Sequence, residues 1–280
     1  MTSNPTIKIL FLGDISARPG RHAVRDILPQ IKKENAIDLV IANCENAAGG
    51  RGVTREILNE LQGYGIDYFT AGEHIWDREE TKTDLQDLSA PLVRPYNYER
   101  TELLPGKGWD IIDLGSKGRV VVTCLLGQEF MKQKVKNPFW AVEDLLKEIQ
   151  AKVGEDIKQL PLIIDFHAEA SAEKASFAWS IKENAVAVLG THTHVGTVDT
   201  KILPRKDPTQ GCAYVTDVGM CGVKFASLWV DFDSVIPNFK YPFKKKFKVE
   251  MKGARIFNSV LLEIENFSAK KITRLDREVK

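Results

Sequence analysis

The sequence predicts an α/β fold. Short apolar runs of strand length recur through its first two thirds, and most are followed by a segment with helical periodicity. Five of these runs also end on residues able to bind metal, as expected where parallel strands aim side chains beyond their carboxyl ends.

The elements follow in order. Residues 7–12 are almost wholly apolar and end in Gly13 and Asp14, the pattern of a buried strand. Pro19 and Gly20 open a helix to about Lys33, with Val24, Ile27, Leu28 and Ile31 on one face. Residues 38–42 form a second strand delivering Asn43, Cys44, Glu45 and Asn46, after which Gly49 and Gly50 turn the chain. Thr54 is placed to cap a helix carrying Ile57, Leu58 and Leu61, closed at Gly63 or Gly65. Residues 67–70 form a third strand, delivering Gly72, Glu73 and His74. Strands over 111–114 and 119–125 flank a turn, and a helix covers about 138–153. Residues 161–166 deliver His167; Ser171 is expected to cap a helix through Trp179. The run 185–189 then leads into Gly190, His192 and His194.

After residue 200 the pattern changes to short strands at 213–216, 247–251 and 259–264. Phe247, Val249 and Met251 alternate with Lys248, Glu250 and Lys252, the period of a half-buried strand, and the lysine-rich run 244–248, which could be called a nucleic-acid patch, reads rather as its solvated edge. No repeat or low-complexity linker divides the chain, so one domain over residues 1–280 is expected.

Composition removes several function classes. With 43% hydrophobic residues in 280, the chain is able to bury a sizeable core. Its 39 Lys and Arg against 38 Asp and Glu create no global field for duplex nucleic acid or a membrane surface. No stretch approaches the ~20 apolar residues of a membrane span, and residues 1–6 lack the basic start of a secretory leader. Cys44, Cys124, Cys212 and Cys221 are scattered without Cys-x-x-Cys spacing and read as reduced thiols of a cytoplasmic protein.

The strand ends together carry Asp14, Glu45, Asn46, Glu73, His74, His167, His192 and His194, including four of the five histidines. In extended backbone, His192 and His194 would share one face. Three imidazoles with two or three carboxylates and a carboxamide exceed one tetrahedral zinc. They suit two six-coordinate Mn, Fe or Zn ions about 3.5–4 Å apart, with a bridging carboxylate and hydroxide, a clamp for in-line displacement at phosphorus.

Several motifs recur in register: Gly13-Asp14, Asn43-x-Glu45-Asn46-x-x-Gly49-Gly50, Gly72-x-His74-x-x-Asp77, Asp165-x-His167-x-Glu169 and Gly190-x-His192-x-His194. They resemble the calcineurin-like metallophosphoesterases and, within them, the YmdB-like bacterial branch, whose members include 2′,3′-cyclic-nucleotide phosphodiesterases. Arg94-Pro-x-Asn97-Tyr98 and Asp217-Val-Gly-Met220 are similar to that branch too. The resemblance covers roughly residues 7–265. It implies a four-layer αββα sandwich of two mixed sheets flanked by helices, binding two divalent ions (Fe, Mn or Zn). Asp14, Glu45, Asn46 and His194 would hold the first ion. Glu45 would bridge to the second, held also by Glu73, His167 and His192. His74 would stay off the metals and donate to a phosphate oxygen or the leaving group. The implied partner is a small phosphoester such as a cyclic nucleotide; a homo-oligomer is allowed, and no motif fixes one.

Two positions depart from the wider superfamily. Ser16 stands where most members have histidine, a departure the YmdB-like branch shares. Glu73 stands where asparagine is usual. The third carboxylate should tighten metal binding and weaken attraction for an anionic phosphate. It also leaves open a regulatory or scaffold protein with a structural or weakly active centre, against which His74 argues, since a structural site needs no unliganded acid. A metal-dependent amidohydrolase fits the ligand types but not the order of motifs.

Four further residues are read singly, two of them in two ways. Asp165 could orient His167 or face a helix terminus. Arg94 could contact phosphate or brace its loop, and Tyr98 could stack a base. Cys44 is expected to be a packed thiol, its side chain alternating away from Glu45.

Overall fold

The computed structural model describes residues 5–99, 104–154 and 159–280; the N-terminal segment read above as lacking a leader therefore lies partly outside the described residues. The chain opens with β1 (Ile7–Leu12), β2 (Asp14–Ile15), α1 (Ala17–Asn35), β3 (Leu39–Asn43), α2 (Arg55–Gly63) and β4 (Tyr68–Thr70). After α3 (Glu79–Asp84) come β5 (Trp109–Asp113), β6 (Arg119–Leu126), α4 (Pro138–Val153), β7 (Leu162–His167), α5 (Ser171–Ile181) and β8 (Ala187–Thr191). The last part holds β9 (Lys201–Pro204), β10 (Gly211–Val215), β11 (Met220–Val223), α6 (Phe232–Lys240), β12 (Arg255–Phe257), β13 (Ser259–Glu265), β14 (Ser268–Arg274) and β15 (Arg277–Val279).

Two large mixed sheets dominate, ordered β14-β13-β1-β3-β4 and β5-β6-β7-β8-β10-β9. Their side chains explain why the strands read as continuous apolar runs. Ile9 and Phe11 of β1 pack with Val122, Ile163 and Leu189 of the second sheet, filling the space between the sheets. Leu10 and Leu12 point the other way, onto Val24, Leu28 and Leu61 of α1 and α2. The second sheet's outer face, through Leu125, Ile164 and Phe166, is covered by Leu145 and Ile149 of α4 and Phe177 of α5. Helix, sheet, sheet, helix is the four-layer arrangement expected, and burial on both faces removes the alternation a one-sided strand would show.

A third, smaller sheet, β15-β12-β11-β2, was not foreseen. It pairs Asp14 with Met220 and so ties the first ligand-bearing strand to the C-terminal part of the chain. Its strands are two to four residues long, too short to leave a periodic signature.

Local details differ from expectation in three places. Thr54 does cap α2, accepting from the Ile57 amide at 3.4 Å, but Ser171 is the first residue of α5 and its side chain caps nothing. Residues 247–251 form no strand; one isolated bridge, Val230 to Val249, is all the ladder they make. The helix α6 carries Pro237 within it and was not anticipated. Among the described residues, no helix is long and apolar enough to cross a membrane.

Candidate active site

The carboxyl ends of β1, β3, β4, β7 and β8 converge, and with them the residues singled out above. Asp14, Glu45, Asn46, His167 and His194 are buried, and Glu73 nearly so. Gly72 is required here, because a Cβ would collide with both Glu45 Oε2 and His167 Nε2.

Four of these residues form one tight group. His167 Nε2 lies 3.1 Å from Glu45 Oε1, 2.8 Å from Glu73 Oε2 and 3.1 Å from His192 Nδ1. His192 Nδ1 is in turn 3.4 Å from Glu73 Oε1. One donor atom from each of Glu45, Glu73, His167 and His192 lies within 4.8 Å of all the others. The longer arm of Glu73 therefore reaches both imidazoles.

The neighbours of His167 fix its role. Its Nδ1 is 2.8 Å from Thr191 Oγ1, which donates to Asp165 Oδ1 at 2.6 Å. The hydroxyl thus accepts from Nδ1–H and leaves Nε2 to face the carboxylates. Asp165 orients His167 through Thr191 rather than directly. It also accepts from Asn43 Nδ2 at 2.9 Å and Thr70 Oγ1 at 2.5 Å, binding the ends of β3, β4, β7 and β8 together. Burial raises the Asp165 pKa, with His167 and these hydrogen bonds pulling the other way. Burial pushes the His167 pKa down, but Glu45 and Glu73 outweigh it and hold the imidazole well above its ordinary value. Burial likewise works to raise Glu73, and His167 and His192 overcome it, so its carboxyl stays ionised. The group needs positive charge at its centre, and protons supply it when nothing else does.

A second group surrounds Asp14. Its Oδ1 is 3.6 Å from His194 Nε2 and 3.9 Å from His167 Nδ1, while Oδ2 accepts from the His192 amide at 3.2 Å. Asp14 Oδ1, Asn46 Oδ1 and His194 Nδ1 are buried and hydrogen-bond to nothing in the protein. Each such orphan costs about 1–3 kcal/mol. A carboxylate oxygen 3.6 Å from an imidazole, with an orphaned carboxamide oxygen just beyond the adjoining strand, makes a donor set that fits a divalent cation. Burial, then the charges of His192 and His167, push the His194 pKa down to about 3, keeping the ring in its neutral, ligating form. Asp14 is raised by burial, against the pull of His167.

His192 and His194 are not held side by side on extended backbone. Strand β8 ends at Thr191, and the two histidines have φ of 91° and 63°, in the left-handed region. The loop twists them apart, His192 toward Glu73 and His194 toward Asp14. Glu169 Oε2 sits 3.1 Å from His192 Nε2, which leaves Nδ1 facing the first group.

The strained loop is held from beneath by Asp217, noted above only as part of a motif, and by Lys174, which the sequence reading missed. Buried Lys174 of α5 donates to the Thr191 carbonyl at 2.7 Å and to Asp217 Oδ2 at 2.9 Å. Asp217 Oδ2 also accepts from the Thr193 amide and hydroxyl at 3.1 and 2.7 Å. A signal existed: Lys174 falls on the helical stripe of Phe177, Ala178 and Ile181, where a surface lysine has no place. Lys174→Met strands a buried aspartate and is expected to cost about 3–5 kcal/mol in urea unfolding. Pairing it with Asp217→Asn should recover most of the loss. A single variant within about 1 kcal/mol of the parent would show that the pair does not brace the loop.

His74 borders the first group, its Nε2 3.8 Å from Glu73 Oε1. Its amide donates to Glu45 Oε2 at 3.0 Å, and its Nδ1 is 2.8 Å from Asp77 Oδ2. The ring is 22% exposed and lines, with Arg51, Glu73, Lys132 and His192, a cleft of about 380 Å³. Arg94 does not reach this cleft; it is buried and donates to the carbonyls of Pro105 and Pro95, bracing its loop. Tyr98 packs edge-on against Trp76, ring centroids 5.7 Å apart, beside a different cavity. Cys44 is fully buried, and burial raises its thiol pKa, so it is the packed thiol expected.

The fold is shared with a calcineurin-like phosphoesterase, YfkN of Bacillus subtilis, whose solved structure superposes with a TM-score of 0.50 at 12% identity, covering 98% of this chain and 90% of that one. The family itself is shown by the sequence. A model described as YmdB-like protein matches residues 10–275, and the chain belongs to that family. It is 36% identical over 272 residues to a 2′,3′-cyclic-nucleotide 2′-phosphodiesterase of Bacillus subtilis (strain 168), covering 97% of this chain and 96% of the relative. The structure of a novel phosphatase from Mycoplasma pneumoniae superposes with a TM-score of 0.86 at 30% identity, covering 98% of this chain and 94% of the other.

Proposed function

We propose that the protein is a metal-dependent phosphodiesterase for small phosphoesters, with 2′,3′-cyclic nucleotides as the leading substrates. The observation that carries this reading is the separation of roles at the strand ends. Two groups of buried donors point inward, while His74 points into the cleft, oriented by its own carboxylate. The function printed for the Bacillus subtilis relative supports the substrate class.

In this reading Asp14, Glu45, Asn46 and His194 hold one divalent ion, and Glu45, Glu73, His167 and His192 hold the other, as Fe, Mn or Zn. Such a pair supplies Lewis acidity at phosphorus and activates water for attack. Arg51 and Lys132 give the cleft a positive rim for the phosphate. Asp77 accepts from His74 Nδ1–H, and His74 Nε2–H delivers the proton to the departing ribose oxygen. The four buried cysteines form no disulfide, which supports work in the cytoplasm.

Glu73 sets the rate in this proposal. It adds a negative charge where substrate charge must be neutralised, and both its oxygens are committed to imidazoles. Replacing Glu73 with Asn is expected to raise turnover of a cyclic nucleotide roughly tenfold and to weaken metal retention. Turnover that is unchanged or lower at full metal loading would refute that role. The proposal as a whole is tested by measuring bound metal, then assaying 2′,3′-cyclic AMP, a generic diester and a monoester.

A further inference from the structure

Between β11 and β12 the chain makes an excursion, residues 224–254, that the site does not use. Residues 239–248 are all exposed. Phe239 is 84% and Phe243 57% exposed, beyond what a monomer's surface requires. From 239 to 252 there are six lysines against one glutamate, interleaved with Phe239, Tyr241, Phe243 and Phe247. The segment is nonetheless ordered. Buried Asn238 accepts from the Lys245 amide and donates to the Lys245 carbonyl. Lys248 donates to Ser234 Oγ at 3.1 Å and accepts from the Asp231 amide. Tyr241 and Phe243 stack with centroids 5.2 Å apart and planes 4° from parallel.

The excursion is rooted at the candidate site. The Trp229 ring packs against Gly50, whose carbonyl accepts from the Asn46 side chain at 3.0 Å. Val249 and Met251 form one wall of a groove of about 390 Å³ whose other lining includes Arg18, Arg21, Gly49 and Arg78.

Aromatic faces interleaved with lysines are a platform for single-stranded nucleic acid, bases on the rings and phosphates on the ammonium groups. A second copy fits less well, since a two-fold contact would set six lysines against six. An anionic membrane is typically bound by an amphipathic helix, and residues 241–252 form none. The substrate class points the same way. A 2′,3′-cyclic phosphate forms when a ribose 2′-hydroxyl attacks its own phosphodiester, so it first appears at the 3′ end of a cleaved RNA.

We infer that residues 239–252 bind single-stranded RNA whose 3′-terminal 2′,3′-cyclic phosphate is presented to the cleft beside His74. This rests on the phosphodiesterase reading. Water adds across one P–O bond of the ring, leaving a hydroxyl on one ribose oxygen and a phosphate on the other.

The test compares an octaribonucleotide ending in a cyclic phosphate with 2′,3′-cyclic AMP, using metal-loaded protein. The octamer should have a kcat/KM at least about tenfold higher, falling as salt rises. Lys244→Ala, Lys245→Ala and Lys246→Ala together should erase that advantage and leave the mononucleotide rate unchanged. Equal rates for the two substrates, or equal losses in the variant, would overturn the inference. Anisotropy of a fluorescent 3′-phosphorylated octamer separates binding from chemistry. Binding that the triple variant loses upholds the platform even if neither substrate is hydrolysed, in which case the phosphodiesterase reading alone fails. Absence of binding overturns the platform. So does stronger binding to phosphatidylserine vesicles, or a dimer abolished by Phe239→Ala and Phe243→Ala.

Discussion

Replacing His74 with Ala is expected to lower kcat/KM for a 2′,3′-cyclic nucleotide by about 10²- to 10⁴-fold, the usual contribution of a positioned acid. The ring is partly exposed, is held by Asp77 through Nδ1 and comes no nearer to the donor groups than the 3.8 Å between Nε2 and Glu73 Oε1. Bound metal should therefore stay at parent levels, and stability should move by less than about 0.5 kcal/mol. Asp77→Asn should give an intermediate loss, because it weakens the acceptor that orients Nδ1–H while leaving the ring in place. Metal analysis, thermal unfolding and steady-state kinetics on the three proteins decide the matter. An unchanged rate at full metal content would sink the assignment of His74 as acid.

Removing metal should have the other large effect, and on stability as well as rate. Asp14 Oδ1, Asn46 Oδ1 and His194 Nδ1 have no protein partner, and the ionised Glu73 faces two histidines. A ligand at a thousand times its Kd stabilises by about 4 kcal/mol, or roughly 8 °C in Tm for a chain of this length. Chelation should therefore lower Tm by at least that much and abolish turnover. Adding back Mn, Fe or Zn in turn should restore both and rank the metals. His167→Ala should make Tm insensitive to added metal at low concentration, since that imidazole sits at the centre of the tighter group. Equal Tm with and without chelator would mean that the orphaned atoms are satisfied by water alone.

Much of this was legible in the residues. Strands β1, β3, β6, β7 and β13 could be placed to within a few residues because burial on both faces makes most of their residues apolar. Helix α4 has the extent predicted for it, with Asn137 capping its start, Pro138 in its first turn and Gly154 in the left-handed conformation at its end. The predicted metal-ligating residues lie in the two donor groups or beside them. Residues 247–251 were misread because alternation records which side chains are polar, not whether a neighbouring strand exists to pair with.

The sequence by itself determined the α/β class and the residue types that meet at the strand ends, since both follow from local apolar runs and what comes after them, while the four-layer order was implied by the family resemblance. Tertiary structure alone decided three things. It turned the two histidines of the β8 loop apart through positive φ angles. It drew Lys174 and Asp217 beneath that loop from positions 43 residues apart. It also stood the lysines and phenylalanines of 239–252 on the surface instead of in a sheet. Each depends on contacts between segments distant in the chain, and side-chain periodicity reports only on a segment's nearest neighbours.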